Sequence, residues 1–356
     1  MFTHGHQTEN ARKIVFPILN QAFWRSFFIP STIYRFIEID FKNARILTAR
    51  RLNSMNPNTL HEPDRGTVAV DVVGVSRIYR TRRHEGPLWQ QLLRPTFDTY
   101  TALDSVSFKI HAGDCLGLVG PNGAGKSTMI KLLTGLLKPS CGRISVLGHE
   151  PGRLSSQFLT QIAAVFGHKT SLWWDLPVRH SFDAIRRIYR VPVETFSEDV
   201  ALFAGMLHID KLMDRTVRQL SLGERVKCEV VMALAHRPRV LLLDEPTIGV
   251  DMESKQHLRA LINHAVEERQ VATLLTTHDV TDLTACCTHL ALIQGGKVLE
   301  TQTMDGLLRQ LGVSRDNGGQ LESRLIEIFR ARGMTTDEER TFCSTDRTDS
   351  MGDDGD

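Results

Sequence analysis

The chain has 356 residues, 41% of them hydrophobic and 24% charged, with 43 Lys+Arg against 41 Asp+Glu for a formal net charge of +2. That composition belongs to a globular protein with room for one large domain and appendages or for two ordinary domains. The charge balance supplies no field that would attract a polyanion, so no nucleic-acid partner is expected. No run of 18 apolar residues occurs, so the chain is not expected to cross a bilayer by itself.

Three regimes follow in chain order. Residues 1–65 form an N-terminal extension in which apolar and aromatic residues are broken by Pro17, Arg25, Pro30, Arg35 and Glu38. It reads either as short amphipathic helices lying on a membrane or partner, or as an extension of little function, with Met55 as an alternative start. The opening residues lack the layout of a secretory signal. The six cysteines (115, 141, 228, 286, 287, 343) show neither C-x-x-C nor zinc-finger spacing. Cytoplasmic residence is the expectation.

Residues 66–300 alternate β-branched runs with helical patterns, which predicts an α/β domain with a buried, mainly parallel sheet. Strand-like runs are TVAVDVVGV, SVSFKI, DCLGLVG, RVLLLDE, ATLLTTH and HLALIQGGKVLE; helical ones are GKSTMIKLLTGLL and GERVKCEVVMALAHR. The uninterrupted Val240–Leu243 run suits a strand covered on both faces. Residues 301–333 form a C-terminal helical extension with a predicted helix over Leu321–Arg332. Residues 334–356 are acidic, poor in large apolar residues and expected to be disordered.

The strongest motif is Gly120-Pro-Asn122-Gly123-Ala-Gly125-Lys126-Ser127-Thr128, between a strand-like run and a helical one. Glycines at 120, 123 and 125 let the backbone turn its N–H groups toward phosphate, and the helix adds its positive end. Lys126 is placed to reach the β/γ-phosphates, and the Ser127 hydroxyl to ligate Mg²⁺. A second motif, Val240-Leu-Leu-Leu-Asp244-Glu245-Pro246-Thr247, delivers two carboxylates where a buried strand emerges at the carboxyl edge of the sheet. Asp244 is the expected Mg²⁺ ligand and Glu245 the general base acting on the attacking water. A third, Leu220-Ser221-Leu222-Gly223-Glu224, reads in its own right as a capping box that opens a helix.

In this order, and followed by TTHD, the motifs resemble the nucleotide-binding subunits of ABC transporters across about residues 66–300. The resemblance implies a P-loop NTPase fold with a helical subdomain at about 170–225, ATP and Mg²⁺ as cofactors, and ATP hydrolysis coupled to transport. It implies a homodimer in which Ser221 and Gly223 of one chain cap the triphosphate cradled by Lys126 and Ser127 of the other. Leu222 and Glu224 depart from the usual Gly and Gln of the family's LSGGQ. His278 matches the switch histidine that contacts the γ-phosphate, Asp251 the loop that crosses the dimer interface, and Tyr79 the aromatic that stacks on adenine. Tyr100 competes for that role, because an insertion at 81–100 follows Tyr79. His168 stands where the family carries a Gln that reaches Mg²⁺ and the membrane partner, and a fall in turnover on mild acidification is expected from it.

Trp173 and Trp174 fall in the segment that faces the membrane subunit in relatives, with burial in the helical subdomain as the other reading. The wording FGHKTSLWWDLPV and DEPTIGVD resembles an exporter branch that works with separate transmembrane permease subunits, on the cytoplasmic face of the membrane. The competing expectation is a nucleotide-gated regulatory ATPase with weak hydrolysis and no transport role.

Overall fold

The computed structural model describes residues 66–82, 97–167 and 169–331. The chain divides into two units, 1–61 and 62–356, and every described residue belongs to the second. The expectations for residues 1–65, for His168, for Cys343 and for the tail at 334–356 lie outside the described residues.

Two sheets form the frame. The first is antiparallel, with β1 (Val68–Arg82) between β2 (Phe97–His111) and β4 (Cys141–Val146). The second has the order β5-β6-β7-β3-β8-β9. In it β3 (Cys115–Val119), β5 (Ile162–Phe166), β6 (Val240–Asp244), β7 (Ala272–Thr276) and β8 (His289–Gln294) run parallel. The edge strand β9 (Lys297–Thr303) returns antiparallel to β8.

Strand periodicity divides the apolar residues of this sheet between two cores. Val240 and Leu242 of β6 join Leu116, Leu118, Ala291 and Ile293 on the face that meets the antiparallel sheet and α1 (Lys126–Leu133). Leu241 and Leu243 join Leu275, Leu290 and Leu292 on the other face, under helices. Both faces being covered explains the unbroken apolar runs, since neither side of these strands meets water.

A short α2 (Ser156–Leu159) precedes β5. Between β5 and β6 the regular elements are helical: α3 (Val178–Tyr189), α4 (Val193–Leu207) and α5 (Leu222–Leu234), with 3₁₀ turns at Asp210–Leu212 and Val217–Gln219. Pro177 and Pro192 stand just before α3 and α4, and Arg190 and His208 close them in left-handed conformations. Asp199 of α4, with a side chain only 3% exposed, takes hydrogen bonds from Arg237 and Arg269 and so ties α4 to loops of the sheet layer. Beyond β6 come α6 (Met252–Glu267), α7 (Val280–Cys286), α8 (Met304–Leu311) and α9 (Gly318–Ala331). Leu321, Leu325 and Phe329 seat α9 in the same core as Val280 and Leu283 of α7.

Candidate functional site

The site is built at the carboxyl ends of β3, β6 and β7. The loop after β3 turns into α1 at Gly125, whose φ of 108° lies in the left-handed region. A Cβ there would lie 2.6 Å from the carbonyl oxygen of Ala102, and one on Gly120 would run into the backbone of Ile293. Only glycine lets the loop lie this close to its neighbours. Lys126 curls back along the loop, its Nζ donating to the carbonyls of Gly120 at 2.6 Å and Pro121 at 3.2 Å. Burial lowers its pKa to about 8, with Glu245 and then Asp244 opposing the shift. Ser127 is exposed in the first turn of α1, and Asn122 and Gly123 are exposed at the loop's tip.

Strands β6 and β7 pair in register with Asp244 opposite Thr276, which sets the carboxylates beside the segment that carries His278. The Thr276 hydroxyl donates to Asp244 Oδ1 at 2.8 Å, and the Glu245 N–H donates to the Thr276 carbonyl at 3.0 Å. These bonds hold Glu245 at φ 53°, an unfavourable place for a side-chain-bearing residue. From there its Oε1 lies 2.8 Å from His278 Nε2. The Gly167 N–H donates to the Asp244 carbonyl at 2.8 Å, so the segment leading to position 168 runs beside the carboxylates.

Behind this pair lies a buried polar cluster that motif reading missed. Asp282 of α7 accepts from the hydroxyls of Thr247 and Thr277 and, at 2.6 Å, from Arg259 Nε. Asp279, which caps α7, is held by Lys255 at 2.8 Å. Polar residues following an apolar strand, as in TTHD, were the available signal, but nothing in the spacing pairs Thr247 with Asp282.

The capping box at Ser221 is present in full. Its hydroxyl accepts from Glu224 N at 3.2 Å, and Glu224 Oε2 accepts from Ser221 N at 2.8 Å. Burial alone would raise the Glu224 carboxyl, but the Ser221 bonds and Arg215 outweigh it and hold the pKa below the ordinary value. The acid that departs from the expected Gln is therefore turned back on its own helix. Gly223 packs beside Val250 and Asp251, and Leu222 leans on Gly249. Asp251 caps α6 by accepting from Ser254 N at 2.8 Å. Among the described residues no hydrogen bond joins Ser221 or Gly223 to the loop at 120–128.

The two candidate aromatics lie opposite one another. Strand β1 runs through Arg82 and β2 begins at Phe97, so both strands extend into the stretch 81–100, of which residues 83–96 lie outside the described residues, and Tyr79 pairs with Tyr100 across them. Tyr100 is the one whose hydroxyl reaches the loop, 3.4 Å from the Gly123 carbonyl, and it is 58% exposed. Tyr79 instead carries the guanidinium of Arg77 over its ring at 4.8 Å. Trp173 and Trp174 are both exposed, Trp174 with Arg225 at 5.1 Å from its ring. The thiols of Cys228, Cys286 and Cys287 are buried and pushed up, Cys228 to about 12, so they are packing groups rather than nucleophiles.

A glycine cradle opening a helix, with carboxylates at the carboxyl edge of a parallel sheet, defines a nucleoside-triphosphate-binding α/β protein. The family pattern described as "ABC transporter" matches residues 103–248. The Nod factor export ATP-binding protein I of Neorhizobium galegae is 28% identical over 80% of this chain and 78% of its own length. A probable sulfate/thiosulfate import ATP-binding protein of Chlorella vulgaris is 31% identical over 57% of this chain and 86% of its own. A solved ATP-binding subunit of an ABC transporter superposes at a TM-score of 0.58 with 23% identity, covering 72% of this chain and 99% of that one. The chain belongs to the ATP-binding proteins of ABC transporters. It is the ATPase subunit of such a transporter, and its fold is the nucleotide-binding domain of that family.

Proposed function

We propose that the chain powers an exporter by closing as a head-to-tail dimer on ATP, on the cytoplasmic face of a membrane beneath separate permease subunits. The observation that carries the dimer is that, among the described residues of one chain, no hydrogen bond joins two half-sites of matching chemistry. The loop at 120–128 cradles a triphosphate, while Ser221 lies exposed at the start of the 13-residue α5. The N–H of exposed Leu222 precedes the first intrahelical bond, from Arg225 N to the Ser221 carbonyl, and suits a phosphate oxygen, whereas Gly223 is buried beside Val250. The Ser221 hydroxyl accepts from its own helix and keeps a proton to donate. A second copy supplies the missing cap. Export direction is supported by the likeness to the Nod factor export protein over most of the chain. Exposed Trp173 and Trp174 form the surface for the permease.

In this reading Lys126 exchanges its two carbonyl partners for phosphate oxygens. Glu245 takes the proton of the attacking water, and His278, held against Glu245, meets the γ-phosphate. Ser127 and Asp244 are hard oxygen donors, one carboxylate among them, and Thr276 fixes that carboxylate in place. Such a set fits Mg²⁺, which takes one or two protein oxygens and completes its shell with substrate phosphates and water, and which neutralises charge during phosphoryl transfer. Tyr100 stands beside the loop as the aromatic for the base, with Tyr79 behind it.

The test is the mass of the Glu245→Gln protein in solution with ATP and Mg²⁺. A dimer that reverts to monomer on nucleotide removal is expected; a monomer at saturating ATP, with the permease present, overturns the reading. Copurification with a separate multi-span membrane protein that raises the ATPase rate tests the partner.

A further inference from the structure

We propose that Asp282 is a positioning residue for ATP hydrolysis, its carboxylate fixing Glu245 and His278 relative to one another through the hydroxyls of Thr247 and Thr277. The inference deepens the functional reading above and rests on Glu245 being the base. Glu245 and His278 come from the ends of different strands, and each is followed or preceded at once by irregular backbone. Thr247 lies two residues after Glu245, and Thr277 directly precedes His278. Both threonines are buried, 4% and 2% exposed, and both donate to the same oxygen of Asp282, Oδ2. The other oxygen, Oδ1, is held by Arg259 Nε at 2.6 Å. Asp279, on the far side of His278, is pinned by Lys255 and Arg259 and accepts from Thr281 N. One carboxylate thus joins the turn carrying the base to the segment carrying the histidine, and α6 anchors that carboxylate through Arg259.

The choice of residue argues for this role over simple packing. Asp282 is 1% exposed, and its α7 neighbours Val280 and Leu283 sit in the apolar core. An apolar side chain of similar volume at 282 would avoid the desolvation of a buried carboxylate. What it would lose is direction, because apolar contacts do not fix two hydroxyls at one point. Burial, and next the neighbouring Asp279, push the Asp282 carboxyl above its ordinary range, while Thr247 and Arg259 oppose the rise. The 2.8 Å contact between His278 and Glu245 is the geometry that this cluster preserves.

The experiment measures steady-state ATPase kinetics and thermal melting on the full chain, for Thr247→Val, Thr277→Val, their serine counterparts, Asp282→Asn and Glu245→Gln. Each valine variant is expected to lower kcat by about tenfold or more, with KM for ATP changed by less than about twofold, since misplacement of a reacting group acts on the chemical step. Serine at either position should restore kcat. Asp282→Asn should match the valine variants, and combining them should add little, since groups acting as a unit are non-additive. Valine variants that melt lower but keep kcat reduce the cluster to packing and overturn the proposal, as does failure of serine to restore the rate. Glu245→Gln separates the two levels. If it keeps the wild-type rate, the base is misassigned; if it loses the rate while the valine variants keep it, the positioning role alone falls.

Discussion

His278 Nε2 lies 2.8 Å from Glu245 Oε1, with the histidine side chain 5% exposed and the glutamate 18%. The pairing follows from the register of β6 and β7, which places Asp244 opposite Thr276 so that the next residues of each strand emerge side by side. In the proposed mechanism, a base held this way is oriented before the triphosphate arrives. Glu245→Gln is expected to cut turnover by about 10²- to 10⁴-fold, the usual worth of a general base. His278→Ala should lower kcat in the same direction while ATP still binds. Phosphate release alongside fluorescent-nucleotide titration checks both.

Lys126 titrates where a pH series can see it. Below about pH 8 its buried ammonium is charged, and as pH rises through 8 the charge proposed to meet phosphate is lost. Affinity for a non-hydrolysable ATP analogue should therefore fall by roughly tenfold between about pH 7.5 and 9, following the protonated fraction. Binding near pH 8 should take up a proton, detected by calorimetry in buffers of different ionisation enthalpy. Lys126→Ala should bind weakly with no such dependence, and an equal slope in that variant refutes the assignment.

The two tyrosines make opposite predictions. Tyr100→Ala removes the aromatic that reaches the Gly123 carbonyl and should weaken ATP and ADP alike by about 1–3 kcal/mol, the scale of base–aromatic stacking. Tyr79→Ala removes a ring engaged by Arg77 and should leave affinity within about twofold, a change far smaller than that stacking term. Titrating both variants with a fluorescent nucleotide decides between them.

Glu229 of α5 is buried, and its Oε1 accepts from Ser171 N at 3.0 Å in the segment leading to Trp173. Burial pushes its carboxyl up to about 7, opposed by Thr170, Ser171 and Arg225. Because the folded chain holds this proton more tightly than the unfolded one, the contribution of Glu229 is intact below the ordinary carboxylate range and fades as pH rises through about 7. Glu229→Gln keeps the acceptor and removes the charge. It should melt higher than wild type at pH 8, by an amount on the order of 1–3 kcal/mol, with the difference closing below about pH 5. A difference that does not vary with pH would count against the buried charge.

The local motifs were legible because each is a short contiguous string with one physical purpose. Gly120 to Thr128 must curl and then start a helix, Val240 to Glu245 must bury and then emerge, and Ser221 to Glu224 must cap. The wholly buried strands announced a sheet covered on both faces. Chain geometry decided what the strings left open. HLALIQGGKVLE reads as one run, yet it turns at Gly295–Gly296 into the antiparallel pair β8 and β9. The separate sheet of β1, β2 and β4 was invisible because β4 begins with the exposed residues Cys141, Gly142 and Arg143 and pairs with a strand some seventy residues earlier.

The sequence by itself determined the phosphate loop, the carboxylates and the helix caps, since backbone curl, strand burial and capping depend on residues only a few positions apart. Tertiary structure alone decided that Tyr100 rather than Tyr79 reaches the loop, that Glu245 meets His278, and that Asp282 gathers Thr247 and Thr277. Apart from Thr277, which lies close to Asp282 in sequence, those relations join residues more than twenty positions apart. Register and helix packing set them, and no local spacing encodes either.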